Sequence, residues 1–352
     1  MKVLIIQVKM IGDVLTTSTL AEKIKKKYTK AQVHYLVNSN TFPVVENNPF
    51  IDVYKVINTE ISSNKSSFLN LIKYVKNQKF DIVIDVYSKI STGIITLLSS
   101  AKIRISKYKF YTSFMYTHTH KELQFGETNY GLALENRYKL LTSLGINSSE
   151  IVKPKIYLTN KEIKSAKSLL LAKKIVFNKP IYMISVLGSS KSKTYPSKYM
   201  VMVLDFIIKI RPEAQILFNY IPNQKNDAKS IYDSCQEKTK KRIFLQVFGE
   251  NIREFLALTK LSNKLIGNEG GAVNMAKALQ VQTFTIFSPW IQKEHWSLYE
   301  NKNINISVHL NDFKPKLFKN MTKKKLRSNY SFFYNEFHPN LFIEQLREFI
   351  EN

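Results

Sequence analysis

Short apolar runs alternate with longer amphipathic segments along the first 145 residues. This alternation of strand-like and helix-like patterns is typical of βαβ units, which build a parallel sheet. A glycine after the last amphipathic segment fits the end of a helix. The predicted elements are strand 3–8, helix 15–28, strand 32–37, strand 53–57, helix 68–77, strand 81–86, strand 102–105 and helix 130–144.

Residues 146–160 are polar and without a sustained period, which predicts a linker. Thr159 and Glu162 have the spacing of a capping box, so a helix should follow to about Ala172. The alternation then resumes, and 352 residues are enough for two such domains. The predicted elements of the second half are strand 180–186, helix 197–210, strand 215–220, helix 224–235, strand 242–247, helix 252–261, strand 264–267, helix 272–279, strand 282–287 and helix 341–350.

The net charge is +26, from 53 lysines and arginines against 27 acidic residues. Such an excess attracts anionic partners, including phosphates, nucleic acid and acidic membranes. A basic nucleic-acid-binding Rossmann protein is therefore the non-enzyme alternative. No recognition module accompanies the lysines, so we expect no nucleic-acid partner. The densest C-terminal cluster, KKKLR at 323–327, fits either a solvated helix face or contact with anionic lipid.

Cys235 is the only cysteine, which fits a reducing compartment and rules out an intramolecular disulfide. The apolar N-terminal run is too short for a signal sequence, and no later run is long enough to span a membrane. These features predict a cytoplasmic protein, free or peripheral at the inner face of the cytoplasmic membrane. The sequence does not fix the oligomeric state, and we take a monomer as the working expectation.

The stretch LIGNEGGAVNMAKAL at 265–279 reads as a strand, a glycine loop and a helix. Free N–H groups at a helix N-terminus and the absence of side chains on Gly270 and Gly271 suit a diphosphate. Glu269 and Asn274 add polar atoms on either side of the turn, which a purely conformational turn does not require.

A second strand-to-helix loop, at 185–200, carries Ser189, Ser190 and Lys193. Hydroxyls and an ammonium group suit a phosphate, although a bland polar loop explains this stretch equally well. In a doubly wound sheet the two loops would emerge at the same edge. Lys293 and His295, after the last strand, are further donor-side candidates, while Trp290 reads as a structural aromatic residue.

The opening loop contains Gly12 and Asp13 but lacks the further glycines of a dinucleotide fingerprint. Asp13 reads either as the N-cap of the following helix or as a functional carboxylate. Metal chemistry has little support, because no aspartate lies two residues from another and His118 and His120 lack further ligands at metal-site spacing. We therefore expect no metal site and no cofactor.

Four segments together resemble glycosyltransferase family 9, the heptosyltransferases of lipopolysaccharide core assembly. They are the opening strand-turn-helix, the VHYLVNSNTFPVVENNPFIDVYKV stretch, the FDIVIDVYSKISTG block and the 265–289 stretch, in the expected order over about residues 1–300. The resemblance implies a GT-B fold, with two Rossmann-like domains whose parallel sheets face a central cleft and a C-terminal helix that crosses back. The implied limits are 1–155 for the acceptor-side domain, 156–175 for a linker and helix, 176–330 for the nucleotide-sugar domain and 331–352 for the helix packing back toward the N-terminal domain.

The resemblance also implies an inverting transfer from an ADP-heptose donor without a metal-binding Asp-x-Asp. By position, Asp13 matches the family's general base, Lys193 its diphosphate lysine, and Ser189 and Ser190 its hydroxyl contacts. The acceptor would be a lipopolysaccharide-core or similar glycolipid. The 269–274 segment matches the donor loop, and Gln224 is the nearest candidate for a second-domain glutamate. The acceptor-side candidates are Gly12, Lys89 and Arg104, and the two basic residues fit contact with acceptor phosphates or a solvated surface equally well.

This chain departs from the family pattern in the donor loop. It has Glu269, Gly270, Ala272 and Asn274 where the family commonly has aspartate, a hydroxyl residue, proline and histidine. Tyr195 replaces the tryptophan that usually follows the lysine. A GT-B transferase that uses another nucleotide sugar, such as a UDP- or GDP-sugar, for a different surface glycan is therefore the alternative within the enzyme class.

Overall fold

The computed structural model of the chain describes residues 1–58, 64–301 and 303–352. Contacts divide it into two units, Met1–Tyr157 and Leu158–Asn352. The first unit holds β1 Lys2–Ile6, α1 Ile11–Lys27, β2 Gln32–Asn38, β3 Val53–Ile57, α2 Lys65–Asn77, β4 Ile82–Asp85, α3 Ile90–Leu97, β5 Ile103–Lys107, β6 His118–His120 and α4 Leu132–Lys139.

The six strands of the first unit form one parallel sheet in the order β3-β2-β1-β4-β5-β6. The strands β1, β2 and β4 are rich in apolar residues and almost fully buried, as expected for a parallel sheet covered on both faces. Helix α1 is buried despite four consecutive hydroxyl residues. Three of these hydroxyls donate to carbonyls of the preceding turn, such as Thr16 Oγ1 to Gly12 O at 2.7 Å, so their burial leaves no lost hydrogen bond.

The second unit begins with α5, whose capping box joins Thr159 and Glu162 as predicted. Its elements are α5 Asn160–Ala172, β7 Ile181–Ser185, α6 Ser197–Ile210, β8 Gln215–Asn219, α7 Lys225–Ser234, α8 Glu237–Lys240, α9 Ile252–Lys260, β9 Lys264–Asn268, α10 Gly271–Ala278, β10 Gln282–Ile286, α11 Lys293–Trp296, β11 Asn305–Val308, α12 Leu310–Phe313, α13 Lys323–Ser328, α14 Tyr330–Glu336 and α15 Ile343–Glu351.

The sheet of the second unit is also parallel, in the order β11-β10-β9-β7-β8. The apolar face of α15 joins the core of this unit, where Phe349 packs against Phe284 with ring centroids 5.6 Å apart. Arg211 fastens the end of the chain by donating to the Glu351 carbonyl. The domain limits and the return of the last helix toward the N-terminal domain stay predictions.

The predicted strand at 242–247 is wrong. Only Ile243 bridges Ile216, and a turn that closes at Val247 ends the pairing after two ladder hydrogen bonds. The prediction also missed β11, whose four residues are half polar. No helix in the described part of the chain is long and apolar enough to cross a membrane.

Candidate functional site

Each sheet has one point where the strand order reverses. In the first unit it lies between β1 and β4, and in the second between β7 and β9. Ligands of open parallel sheets bind beyond the carboxyl ends of the strands at this point. The loops that leave these ends are the ones that carry Asp13, Lys89, Lys193 and Glu269, so the topology brings the predicted residues to the expected edges.

Asp13 is not the N-cap of its helix. The N-cap of α1 is Met10 and the helix begins at Ile11, so the carboxylate of Asp13 lies in the first turn. Its Oδ1 instead pairs with the guanidinium of Arg137, a residue of α4 that lies 124 positions away in the chain. The Asp13 side chain is 26% exposed, whereas that of Arg137 is 10% exposed.

Three separate contacts hold Arg137 in place. Its Nη2 donates to Asp13, its Nε donates to Thr17 Oγ1 at 2.9 Å and its Nη1 donates to the Ala133 carbonyl at 2.5 Å. The second oxygen of Asp13, Oδ2, accepts no hydrogen bond from any residue the structure describes. The pair therefore presents a carboxylate with one oxygen fixed and the other available to a ligand.

A buried carboxylate, Asp85, ends the neighbouring strand β4. It accepts from the Ser88 backbone N–H and from Tyr116 Oη, both at 2.8 Å. Complete burial raises its pKa to about 6, and these hydrogen bonds oppose the rise. Its role is to hold the Ser88–Lys89 turn, which begins α3. Lys89 is exposed there and forms no ion pair within the described residues.

Arg104 differs from the other acceptor-side candidates. It lies near the start of β5, and its guanidinium donates to the carbonyls of Met115 and Ala101 at 3.1 and 2.8 Å. These two hydrogen bonds give Arg104 a structural role, because they join the residues before β5 to those before β6. Gly12 is buried beneath Asp13, where its carbonyl accepts from Thr16.

In the second unit, Gly267 and Asn268 fix the junction of β7 and β9. Gly267 has φ +130°, and a Cβ there would lie 2.4 Å from the Ser185 carbonyl oxygen, so only glycine fits. The Asn268 side chain accepts from Tyr195 N at 2.6 Å and donates to Ser185 O at 2.8 Å. The two candidate donor loops are thereby tied to each other.

Helix α10 begins directly after this junction. Its N-cap is Gly270, with φ +148° and no atom within 4 Å of the position that a Cβ would take, and Gly271 is the first helical residue. A ligand can therefore approach the backbone at Gly270 closely, and the first N–H groups of a helix are the groups that bind anions. Asn274 lies one turn further, half-buried.

Lys193 and Glu269 form an ion pair beside this helix end. Nζ and Oε1 are 3.1 Å apart, although their angle makes no hydrogen bond, and Oε1 is buried with no hydrogen-bond donor in the described residues. Lys193 also lies 5.6 Å from the ring centroid of Trp290. Ser189 and Ser190 are exposed in the same loop. An incoming phosphate can thus compete with Glu269 for this lysine.

Two residues that the sequence prediction did not place in the donor site also approach Trp290. The indole donates to Ser192 O at 2.8 Å, which fixes the ring beside Lys193. Arg327 Cζ and Lys323 Nζ lie 5.0 and 5.9 Å from the ring centroid, one turn apart on α13. Neither forms an ion pair in the part of the chain that the structure describes. These two residues of the KKKLR cluster therefore lie beside the candidate donor site.

The remaining donor-side candidates have distinct contacts. Gln224 donates to the Gly188 carbonyl at 2.9 Å and so braces the Ser189 loop from the β8 side. Lys293 forms an ion pair with Asp312, with Nζ and Oδ2 2.7 Å apart, so Asp312 already neutralises the charge that a phosphate would need. The ring of His295 makes no hydrogen bond to the described residues. Among these residues no cluster of three histidine, cysteine or acidic side chains could hold a metal ion. Cys235 is buried, and its pKa is raised to about 12.

Comparison of the sequence with known proteins identifies one family. The sequence model for glycosyltransferase family 9 (heptosyltransferase) matches residues 68–326. Lipopolysaccharide heptosyltransferase 1 of Campylobacter coli is 25% identical over 298 residues, which cover 82% of this chain and 84% of that protein.

Solved structures agree in fold. A family 9 glycosyltransferase from Veillonella parvula superposes with a TM-score of 0.74 at 14% identity, covering 95% of this chain and 97% of that one. An Escherichia coli heptosyltransferase solved with ADP gives 0.64 at 13% identity, covering 96% and 99%. At identities this low, the superpositions show a shared fold and nothing further. The expected GT-B class, with two parallel α/β sheets, is confirmed.

Proposed function

The chain belongs to glycosyltransferase family 9, and we propose that it moves a heptose or a related sugar from an ADP-linked donor to a lipopolysaccharide-core or similar glycolipid acceptor. Membership of an enzyme family sets aside the nucleic-acid-binding alternative. The observation that carries the proposal is the anion site of the second unit, where Lys193 and the start of α10 offer positive groups at the strand-reversal point.

In the proposed reaction an acceptor hydroxyl attacks the anomeric carbon of the donor. Its proton passes to Asp13 Oδ2, the oxygen that accepts no hydrogen bond in the described residues, while Arg137 holds Oδ1. The new C–O bond forms as the bond from the anomeric carbon to the diphosphate breaks, so the configuration at that carbon inverts. This is general-base catalysis by a positioned side chain.

The departing ADP carries an additional negative charge on its terminal phosphate. Lys193, the Ser189 and Ser190 hydroxyls and the N–H groups at Gly271 would bind this phosphate. Fixed donors aimed at developing charge lower the barrier without reorganising during the reaction. Lys193 would exchange Glu269 for this phosphate.

Purified enzyme supplied with ADP-heptose and a lipopolysaccharide-core acceptor should release ADP and add one heptose mass to the acceptor. Parallel reactions with UDP- and GDP-sugars, read by the same mass spectrometry, test the alternative donor. The replacements at Glu269 and Asn274 favour including these donors. Turnover with a UDP- or GDP-sugar and none with ADP-heptose would overturn the donor assignment, and absence of turnover with every donor would contradict the proposed function.

A further inference from the structure

The carboxyl edge of the first unit's sheet exposes large apolar side chains. Three adjacent strands, β1, β4 and β5, end at this edge, and the loop after each of them contributes. Exposed apolar residues collected on one edge, rather than scattered singly, mark an interaction surface. We call this set the edge patch: Met10 (66% exposed), Ile90 (56%), Phe110 (86%), Tyr111 (60%) and Phe114 (70%).

The edge patch is held outward by a fixed turn. The backbone N–H groups of Thr112 and Ser113 both donate to the Lys109 carbonyl, at 3.0 and 2.9 Å, so Phe110 and Phe114 lie one turn apart. Beneath them Tyr116 is buried and donates to Asp85. The aromatic rings are therefore exposed on an anchored support and are not part of an unpacked loop.

Lysines surround the aromatic turn. Lys107, Lys109 and Lys121 flank it in sequence, with Lys121 Nζ 5.8 Å from the Tyr108 ring centroid. Burial, and then repulsion by Lys107 and Lys89, lowers the pKa of Lys109. Glu122, 3.3 Å from Lys107, is the exposed carboxylate that this group pairs with. The surroundings of the patch are therefore positive.

We propose that the edge patch is a membrane-contact surface that inserts its aromatic side chains into the interfacial region of an anionic bilayer. Aromatic rings with lysines beside them are the combination that binds such interfaces, the rings by apolar burial and the lysines by attraction to acidic headgroups. The complementary charge of the lysine group favours this occupant over a neutral surface. The inference rests on the proposed function in one respect: a glycolipid acceptor in that bilayer would reach the same sheet edge as Asp13.

Sedimentation of the full chain with vesicles tests the proposal. Binding should be strong to vesicles that contain phosphatidylglycerol, weak to phosphatidylcholine alone, and reduced by salt. The double variant Phe110→Ala/Phe114→Ala should lose about tenfold or more of the vesicle partition coefficient, because it lacks the two exposed rings that would insert into the bilayer. Leu98→Ala is the matched control, since Leu98 is 45% exposed but lies at the opposite edge of the same sheet.

A second readout does not depend on folding yield. The indole of a Phe110→Trp variant should be quenched by brominated lipid, and that of Leu98→Trp should not. Unchanged vesicle binding in the double variant, or a loss of self-association in place of vesicle binding, would overturn the proposal. Transfer to a lipid-free acceptor fragment should be retained in the double variant. If the unmodified enzyme transfers no sugar, the proposed function fails while the vesicle experiment still decides this inference.

Discussion

Each unit has an ion pair at its strand-reversal point, and the two pairs are built differently. In the first unit Arg137 holds Asp13 and is itself fixed by Thr17 and Ala133. In the second unit Lys193 approaches Glu269 without a hydrogen bond. The rigid fork of arginine favours fixed geometry, whereas the flexible lysine can exchange partners.

This difference matches the two tasks in a transfer reaction. In the proposed reaction Asp13 must stay in one place while it accepts the proton, and the Arg137 contacts would hold it there. A group that binds an entering diphosphate must be able to leave its resting partner. We therefore expect substitutions in the first pair to change the turnover number and substitutions in the second pair to change donor binding.

The largest effect should come from Asp13→Asn. The amide keeps the shape of the side chain but cannot accept the proton, so kcat should fall by about a hundredfold or more while the Kd for ADP stays unchanged. Steady-state kinetics and calorimetry measure the two quantities. Asp81→Asn is the control, because Asp81 lies at the amino edge of the same sheet, where it accepts from Lys2 N. Normal turnover by Asp13→Asn would leave Asp13 without a catalytic role.

Substitutions in the second pair should move ADP affinity in opposite directions. Lys193→Ala removes a charged donor to phosphate and should weaken ADP binding by about ten- to a hundredfold. Glu269→Gln removes a competing negative charge and should strengthen it by about threefold or more. Titration calorimetry measures both.

Lys191→Ala, in the same loop but outside the ion pair, should have little effect on ADP binding. If Glu269→Gln weakened ADP binding as much as Lys193→Ala, Glu269 would be needed when ADP is bound. The hypothesis that Lys193 exchanges Glu269 for the diphosphate would then be wrong.

Arg137→Lys tests whether catalysis depends on the fixed orientation of Asp13. It keeps the positive charge but cannot make the same three contacts, so Asp13 should lose its fixed orientation. We expect kcat to fall by about tenfold, with the donor KM little changed. Thr17→Val, which removes one of the three contacts, should give a smaller loss of the same kind. Thermal denaturation of both variants separates this from a structural role, which would lower Tm without the kcat change.

The sequence allowed most of the fold to be predicted because its information is local. Buried parallel strands are recognisable as apolar runs. The glycine loop at 267–271 indicates a turn and the start of a helix within five residues. Strand 242–247 failed because pairing needs a neighbour as well as an apolar run, and the chain turns away from β8 after Ile243.

Only part of each candidate site could be predicted, because the sequence carries local information and the partners of the site residues are distant in the chain. Asp13, Lys193 and Glu269 stand in recognisable loops, but their partners are remote in the chain. Arg137 lies within helix α4, and its position 124 residues from Asp13 leaves no local signal. Arg327 belonged to a lysine-rich cluster in which no member stood out, and only the contact of α13 with Trp290 separates it from its neighbours.

The smallest effect should come from Arg327→Ala, which tests how far the second site extends. Arg327 is exposed and lies over Trp290, so it would add to the positive potential around the diphosphate without being a fixed ligand. ADP affinity should fall by about two- to threefold, and the loss should shrink at high salt because exposed charges are screened. Lys324→Ala removes the same charge one position from Lys323, where no contact with Trp290 is made. Equal losses from both variants would mean that the net charge of α13, and not the placement of Arg327 over the indole, supports donor binding.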